Sequence, residues 1–155
     1  MWGAQRLLLT LAWLPAQGDW GPWSPLQYCG TDLRGATVGL VGLGAIGATV
    51  ARLLRGFECN ILYSAPREKA VAAEVGAKHV PFDTLLAESD VISVHCPLTD
   101  DTRGLFGKPQ FDAMKPSAIL INTSRGAVVD QDALVHALQN GDIGSAGMWP
   151  TCGVN

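Results

Sequence analysis

The sequence predicts an α/β fold, a doubly wound parallel sheet of about six strands flanked by helices. From residue 37 onward, short β-branched apolar runs alternate with helical patterns, which is typical of βαβ units. Glycine is frequent, with 18 of 155 residues, whereas only 16% of the residues are charged. This balance suits a buried sheet punctuated by tight turns, and the length fits a single domain.

The apolar runs predict the strands, and the patterns of period 3.6 between them predict the helices. The strands are expected at residues 37–41, 60–63, 78–80, 90–95, 118–122 and 143–147. The helices are expected at residues 45–54, 68–75, 84–87, 108–114 and 131–138.

Three of these helices carry clear local signals. Asp83 is the expected N-cap of the third helix and Asp130 that of the fifth, which Asn140-Gly141 is expected to end. The first helix has an apolar face formed by Ile46, Val50, Leu53 and Leu54.

The two ends of the chain lack this alternation. We therefore expect an N-terminal arm at residues 1–36, a sheet domain at 37–147 and a divergent tail at 148–155. The arm holds an apolar stretch at residues 7–14, far shorter than the roughly 20 residues that cross a bilayer. That stretch also resembles a secretory signal, which is the alternative to the cytoplasmic location that the rest of the chain favours.

The charge and cysteine patterns exclude several classes of partner. The formal net charge is -3 and no block of Lys or Arg occurs, so neither a nucleic acid nor a membrane is an expected partner. A hydrophobic content of 48% argues against acidic disorder. No C-x-x-C pair occurs, so we expect no metal site and interpret the cysteines as reduced structural thiols. They are Cys29, Cys59, Cys96 and Cys152.

The first strand runs directly into Gly42-Leu43-Gly44-Ala45-Ile46-Gly47, a G-x-G-x-x-G motif that opens the first helix. In a dinucleotide-binding turn, the first glycine permits the bend and the second lets the backbone approach a pyrophosphate. The third allows close packing of helix on sheet, and the helix N-terminus binds the anion. The motif therefore predicts a Rossmann-type domain; a glycine-rich turn in an unrelated α/β protein is the alternative.

The end of the second strand predicts which dinucleotide is bound. NAD-binding domains carry an Asp or Glu about 20 residues after the motif, whereas this chain reads Tyr63-Ser64-Ala65-Pro66-Arg67. Because no carboxylate is present and Arg67, beside Ser64, can bind a 2′-phosphate, NADP is favoured and NAD is the second choice. The alternative is that Arg67 is an ordinary solvated residue.

Two further strands end in polar residues at the edge where such sheets bind ligands. The fourth ends in Val94-His95-Cys96-Pro97-Leu98-Thr99, which is expected to face the cofactor crevice. The alternatives are that His95 is hydrogen-bonded to backbone and that Thr99 only caps a turn. The fifth is followed by Asn122-Thr123-Ser124-Arg125-Gly126. Arg125 suits a clamp for a carboxylate, and a salt bridge with Asp130 explains it equally well. The remaining histidines, His79 and His136, are expected to be solvated.

Together these segments resemble the D-isomer-specific 2-hydroxyacid dehydrogenases. The resemblance rests on three ordered motifs at residues 40–47, 94–99 and 121–126, followed by Val129-Asp130. Residues 20–25 and the strand-two arginine resemble the glyoxylate/hydroxypyruvate reductase branch in particular. The similarity covers roughly residues 7–147, which match that family's coenzyme-binding domain and a remnant of its interdomain helix.

The resemblance implies hydride transfer from NADPH to a small 2-keto acid such as glyoxylate or hydroxypyruvate. It implies that Arg125 binds the substrate carboxylate and polarises its carbonyl, and that backbone at Ala45 and Ile46 holds the pyrophosphate. It also implies a dimer, of this chain with itself or with a full-length relative. The rest of the cofactor groove would be lined by Cys96, Pro97, Thr102 and Thr123.

The chain departs from this family near its C-terminus. The family's catalytic histidine and glutamate have no matching position, and Trp149 stands where an aspartate is expected near the nicotinamide. We interpret the chain as a truncated or alternatively spliced product. We expect little or no reductase activity from it alone, since losing a general acid costs about 10² to 10⁴-fold.

Three other interpretations stay open. The first is that the chain is a non-catalytic dinucleotide-binding module, which associates with a full-length relative through residues 7–23 and the first helix. Alternatively, it does not fold stably, because apolar surface that faces another domain in the family is exposed. An S-adenosylmethionine-binding sheet is the third, disfavoured by Arg67 and by the missing carboxylate.

Overall fold

Six parallel strands form one sheet in residues 32–149, the part of the chain that the computed structural model describes. Neighbouring strands follow the order β3-β2-β1-β4-β5-β6. The predicted doubly wound sheet is thus confirmed, with every strand end within two residues of its predicted position. The strands are β1 (Thr37–Val41), β2 (Asn60–Ser64), β3 (Ala77–His79), β4 (Val91–Val94), β5 (Ile119–Asn122) and β6 (Ser145–Met148).

Helices connect the strands, as βαβ units require. Two short 3₁₀ turns also occur, at Arg55–Phe57 and Gly126–Val128. Within residues 32–149, the helices are all too short or too polar to cross a membrane. They are α1 (Ala45–Leu54), α2 (Val71–Val75), α3 (Phe82–Glu88), α4 (Lys108–Asp112) and α5 (Gln131–Asn140).

The expectations for residues 1–31 and 150–155, including the apolar stretch 7–14, Cys29 and Cys152, lie outside the described residues. The last residues of the expected arm join the sheet domain, since Asn60 N–H donates to Ala36 O at 2.8 Å. At the other end, Met148 still pairs with Asn122 in the sheet, and Trp149 N–H donates to Asn122 O at 2.8 Å. The first residues of the expected tail therefore continue β6.

The central strands β1 and β4 are buried on both faces, as their continuous apolar runs predict, whereas the edge strand β6 is largely exposed. Neighbouring residues of one strand belong to two different apolar clusters: Leu40 packs with the residues of α1 and α2, whereas Val41 packs with those of α3, α4 and α5. The strand order changes direction between β1 and β4, which pair directly with Val41 opposite Val94. In an open α/β sheet, ligands bind beyond the carboxyl ends of the strands at this switch point.

The bounds of α1 are as predicted, but its predicted apolar face is only half correct. Val50 and Leu54 are partly buried and pack against the core, whereas the other two members of that face do not. Ile46 is 70% exposed and Leu53 is 68% exposed. The residues of α1 that are fully buried are the small ones, Gly47, Ala48 and Ala51. Small side chains let the helix axis approach the strands closely, whereas a face of Leu and Ile would hold it further away.

The ends of the other helices follow local hydrogen bonds. Asp130 caps α5 as predicted, its Oδ1 accepting from Ala133 N–H at 3.1 Å, and Gly141 ends the helix with φ 75°. Asp83 was wrongly expected to cap α3: that helix begins at Phe82 after an extended Pro81, whose carbonyl accepts from Leu85 N–H. Proline is favourable at a helix start because it has no N–H to satisfy there.

At the edge of the sheet opposite the switch point, Asp90 joins three segments. Its Oδ2 accepts from Thr37 N–H at 2.8 Å, and its Oδ1 lies 2.7 Å from Lys115 Nζ. The bond from Lys115, and then that from Thr37, hold the pKa of Asp90 below its ordinary value of 3.8. The carboxylate thus ties the start of β1 to the start of β4 and to the segment before β5.

We expect Asp90→Asn to lower the free energy of unfolding by about 1 kcal/mol at pH 7, because the pair is partly solvated. A group whose pKa is depressed by folding stabilises the fold above its unfolded pKa, and this contribution disappears as pH falls through the folded pKa. The difference between wild type and variant should therefore shrink below about pH 4. Urea unfolding from pH 7 to pH 2 measures it; a constant difference across that range would contradict the assignment.

Candidate coenzyme and substrate site

The three glycines of the turn after β1 meet different surroundings. Gly42 has φ 98°, and a Cβ added there would lie 3.0 Å from Cys96 N. A Cβ at Gly47 would overlap Gly42 O, because α1 crosses directly over the turn. At Gly44 an added Cβ would meet nothing within 4 Å. The first and third glycines are thus required by the protein itself, whereas the second leaves open space over bare backbone.

That open space lies at the N-terminus of α1. Gly44, Ala45 and Ile46 are exposed, and the first turn of the helix contains no acidic residue. Among the residues that the structure describes, no side chain caps the helix. Free N–H groups and the positive end of the helix dipole therefore point to solvent, where they can bind an anion. These features fit the pyrophosphate of a dinucleotide.

Beside the turn, the carboxyl ends of β4 and β5 form a cleft of about 420 Å³. Among residues 32–149, the lining contains one cation, Arg125, and no carboxylate, so an anionic ligand is favoured. Five lining residues were predicted site residues, and Leu98, Val94, His95 and Ser124 complete the wall. The five are Ile46, Cys96, Pro97, Thr123 and Arg125.

A buried amide organises the turn that carries Arg125. Asn122 is 2% exposed; its Oδ1 accepts from Ser124 N–H and Ser124 Oγ, both at 2.9 Å, and its Nδ2 donates to Arg125 O at 2.9 Å. The guanidinium is exposed and donates to Ser124 O at 3.0 Å. The salt bridge with Asp130 weighed from the sequence is not formed, and Asp130 instead caps α5.

His95 lines the cleft as a half-buried neutral ring. Its Nε2 lies 3.0 Å from Ser93 Oγ, so a side-chain hydroxyl satisfies the ring rather than the backbone considered from the sequence. Burial lowers the pKa of His95 from its ordinary 6.5, which keeps the ring uncharged at neutral pH. Burial also raises the pKa of Cys96, so this thiol is protonated. The cleft's charge therefore comes from Arg125.

Sequence reasoning did not assign roles to Ser93 and Asn122. Each was visible as a polar residue in an apolar strand, which is costly unless it is hydrogen-bonded. Both satisfy that requirement through neighbouring site residues: Ser93 through His95, and Asn122 through Ser124 and Arg125. A polar residue within an otherwise apolar strand is therefore the sequence signal that could have identified these two site residues.

The remaining predicted residues lie near the cleft but outside its lining. Ser64 is the last residue of β2, and its carbonyl accepts from Gly42 N–H at 2.9 Å, which places the end of β2 against the glycine-rich turn. Arg67 is exposed in the next loop. Thr102 folds back on its own turn, its Oγ1 donating to Pro97 O at 2.6 Å and accepting from Thr99 N–H at 2.8 Å.

Of the two other histidines, one is solvated as predicted and one is not. His136 is solvated as expected, its side chain being 60% exposed. His79, expected to be solvated, is instead half-buried against Tyr63, with ring centroids 4.9 Å apart. In the described part of the chain Cys59 and Cys96 are free thiols, and no His, Cys, Asp or Glu cluster there could hold a metal ion.

A parallel sheet in this order, with a glycine-rich turn and a cleft at its switch point, defines a Rossmann-type dinucleotide-binding domain. Comparison with known proteins makes this specific. Residues 2–148 match the family model described as D-isomer specific 2-hydroxyacid dehydrogenase, NAD binding domain. The chain belongs to this family, as its motifs predict.

Similar proteins include reductases and a dehydrogenase. The chain is 50% identical over 134 residues to glyoxylate reductase/hydroxypyruvate reductase of Mus musculus, covering 84% of this chain and 40% of that protein. It is 48% identical over 136 residues to glyoxylate reductase of Thermococcus litoralis, covering 84% and 41%. The solved structure of D-lactate dehydrogenase with NAD+ from Lactobacillus jensenii has a TM-score of 0.78 at 35% identity, covering 89% and 42%. The chain thus spans about two fifths of the length of these relatives.

Proposed function

We propose that this chain is the NADP(H)-binding part of a 2-hydroxyacid dehydrogenase that reduces a small 2-keto acid such as glyoxylate or hydroxypyruvate. The observation that carries the proposal is the open space at Gly44 beside a cleft that, within residues 32–149, is lined by one cation, Arg125. An anionic coenzyme and an anionic substrate are thereby accepted side by side. The names of the two reductases described above support this substrate class.

The coenzyme site extends from the glycine-rich turn in two directions. Backbone at Gly42, Gly44, Ala45, Ile46 and Gly47 holds the pyrophosphate. On one side, Ser64 and Arg67 bind the ribose and its 2′-phosphate, and NAD is the second choice of coenzyme. On the other side, the groove toward the nicotinamide is formed by Cys96, Pro97, Thr102 and Thr123.

When bound, the coenzyme supplies the hydride. Arg125 binds the carboxylate of the keto acid through its planar fork and polarises the carbonyl that accepts the hydride. Asn122 holds the turn that presents this guanidinium. The neutral His95 adds no competing charge, so substrate orientation depends on Arg125.

A protein of these 155 residues is expected to bind coenzyme but to turn over weakly or not at all. No residue matches the histidine and glutamate that protonate the forming alkoxide in the family. Steady NADPH oxidation with glyoxylate by the purified chain would contradict this expectation.

The second candidate is a non-catalytic module that pairs with a full-length relative, and the exposed Leu53 and Phe57 on and after α1 favour it. For both candidates we propose a cytoplasmic location and a dimer, of this chain with itself or with that relative. We also keep the division into an arm, a domain and a tail, except that Ala36, Met148 and Trp149 belong with the sheet domain. Co-expression with a full-length relative followed by size analysis separates the two candidates, since only the module requires a mixed dimer.

Calorimetric titration with NADPH and NADH tests the coenzyme assignment. We expect Arg67→Ala to weaken NADPH binding about tenfold, or about 1.4 kcal/mol, because a charge-assisted pair with the 2′-phosphate is lost. NADH lacks that phosphate, so its affinity should stay unchanged. Arg103→Ala serves as the matched control, since Arg103 is an exposed arginine in a different loop. Equal losses for both nucleotides would remove Arg67 from the 2′-phosphate site.

A further inference from the structure

The loop between β2 and α2 is held by two side chains of neighbouring strands. The Tyr63 hydroxyl accepts from Lys69 N–H at 3.0 Å. His79 Nε2 lies 3.0 Å from Ala65 O. Tyr63 and His79 are opposite each other in the register of β2 and β3, and their rings are in contact. One aromatic pair thus anchors the loop at both of its ends.

The chemistry of these bonds fixes the state of the histidine. A carbonyl oxygen only accepts, so His79 Nε2 must carry a proton and donate to Ala65 O. The other ring nitrogen, Nδ1, faces Glu68 Oε1 at 3.8 Å. Tyr63 is 1% exposed, so its hydroxyl is a fixed point to which the loop is tied. These contacts hold the backbone of the loop in the absence of any ligand.

The segment between the two anchors contains Arg67. Its guanidinium is exposed and forms no ion pair within residues 32–149. A fixed backbone limits the directions in which an arginine can point, and each residue that is ordered before binding spares conformational entropy during binding. The two anchoring contacts should therefore strengthen the binding of any ligand that Arg67 contacts.

We propose that Tyr63 and His79 are positioning residues that set the preference of this site for a 2′-phosphorylated adenosine. The proposal rests on the function proposed above, in which Arg67 meets the 2′-phosphate. The aromatic pair holds the backbone of residues 65–69, so that little conformational entropy is lost when the guanidinium binds beside the ribose. A residue that only packs the core would affect NADPH and NADH equally, whereas the proposed role affects the 2′-phosphate alone.

The test compares two substitutions of one histidine. In His79→Gln the amide nitrogen takes about the place of Nε2 and keeps a donor for Ala65 O, whereas His79→Asn is too short to reach it. We measure dissociation constants for NADPH and NADH, and for adenosine 2′,5′-bisphosphate against AMP. His79→Asn should reduce the preference for the 2′-phosphate about fivefold with NADH affinity unchanged. His79→Gln should restore it, and His136→Asn, at an exposed histidine, should have no effect.

Tyr63→Phe provides an independent measurement. It removes the acceptor of Lys69 N–H but keeps the ring, so the fold is preserved even if the histidine variants unfold, and the same fivefold loss is expected. A preference equal to that of wild type in both Tyr63→Phe and His79→Asn overturns the proposal, as does an equal loss for both nucleotides. If wild type binds NADPH and NADH equally, the Arg67 assignment fails together with this proposal. If it binds neither, the proposed function itself fails.

Discussion

Replacing Gly44 by valine is expected to weaken NADPH binding by a factor of about 100 while leaving the fold intact. The residue has φ -84° and ψ -163°, extended backbone that valine adopts easily. An added Cβ meets no described atom within 4 Å, so no steric contact in the free protein requires a glycine at this position. The branched side chain would instead occupy the space that a pyrophosphate needs to reach the first N–H groups of α1.

The size of the effect follows from the bonds that are lost. Each hydrogen bond to a charged group contributes about 1.5 to 3 kcal/mol, and two lost bonds correspond to a factor of about 100 or more in the dissociation constant. Calorimetric titration measures the affinity, and thermal unfolding checks that the variant is folded. Gly56→Ala is the control, because Gly56 also meets nothing within 4 Å but lies after α1, away from the turn. Unchanged NADPH affinity in Gly44→Val would overturn the pyrophosphate assignment.

The strands were predictable because their signal is local. β1 and β4 are runs of mostly β-branched and aliphatic residues, nearly all of them buried, and such runs are evident without knowledge of their neighbours. The packing face of α1 was not predictable in the same way. Hydropathy indicates Ile46 and Leu53, which are exposed, whereas the small residues Gly47 and Ala51 of the same helix are fully buried. Close approach of helix and sheet selects small residues, and a hydrophobicity pattern does not register that requirement.

The parts of the site that could be predicted are those in which the motif residues directly follow a strand, because the strand then also predicts where they lie. The glycine-rich turn and Arg125 follow their strands directly, so the topology of a parallel sheet brings them to one edge. Contacts that depend on register between strands were not predictable. His79 anchors the loop of Arg67 because it is opposite Tyr63 in the β2–β3 pairing, and its partner, the carbonyl of Ala65, has no signal in the sequence. The contacts of Thr102 were not predictable either: its hydroxyl bonds to the backbone of Pro97 and Thr99 and closes a turn.

Replacing Gly47 by alanine should produce the opposite result to Gly44→Val, a loss of stability in the absence of any ligand. Alanine favours helices over glycine by about 1 kcal/mol, so an exposed glycine at this position would be expected to gain stability on substitution. Here the added Cβ overlaps Gly42 O, a backbone atom. That carbonyl has little freedom to move, since Gly42 N–H is bonded to Ser64 O and Gly42 itself lies against Cys96 N.

The overlap can be relieved if α1 moves away from the sheet, which weakens the packing of Ala48 and Ala51, both at most 4% exposed. Overpacking of this kind costs about 1 to 3 kcal/mol, and a rigid backbone neighbour favours the upper part of that range. After the gain in helix propensity, we expect a net loss of about 2 kcal/mol and a Tm lower by about 5 to 10 °C. Thermal unfolding without nucleotide measures it. Gly44→Ala is the matched variant and should lose clearly less stability, since its added Cβ overlaps no described atom. If Gly47→Ala is as stable as Gly44→Ala, the contact between α1 and the turn is not what requires the third glycine.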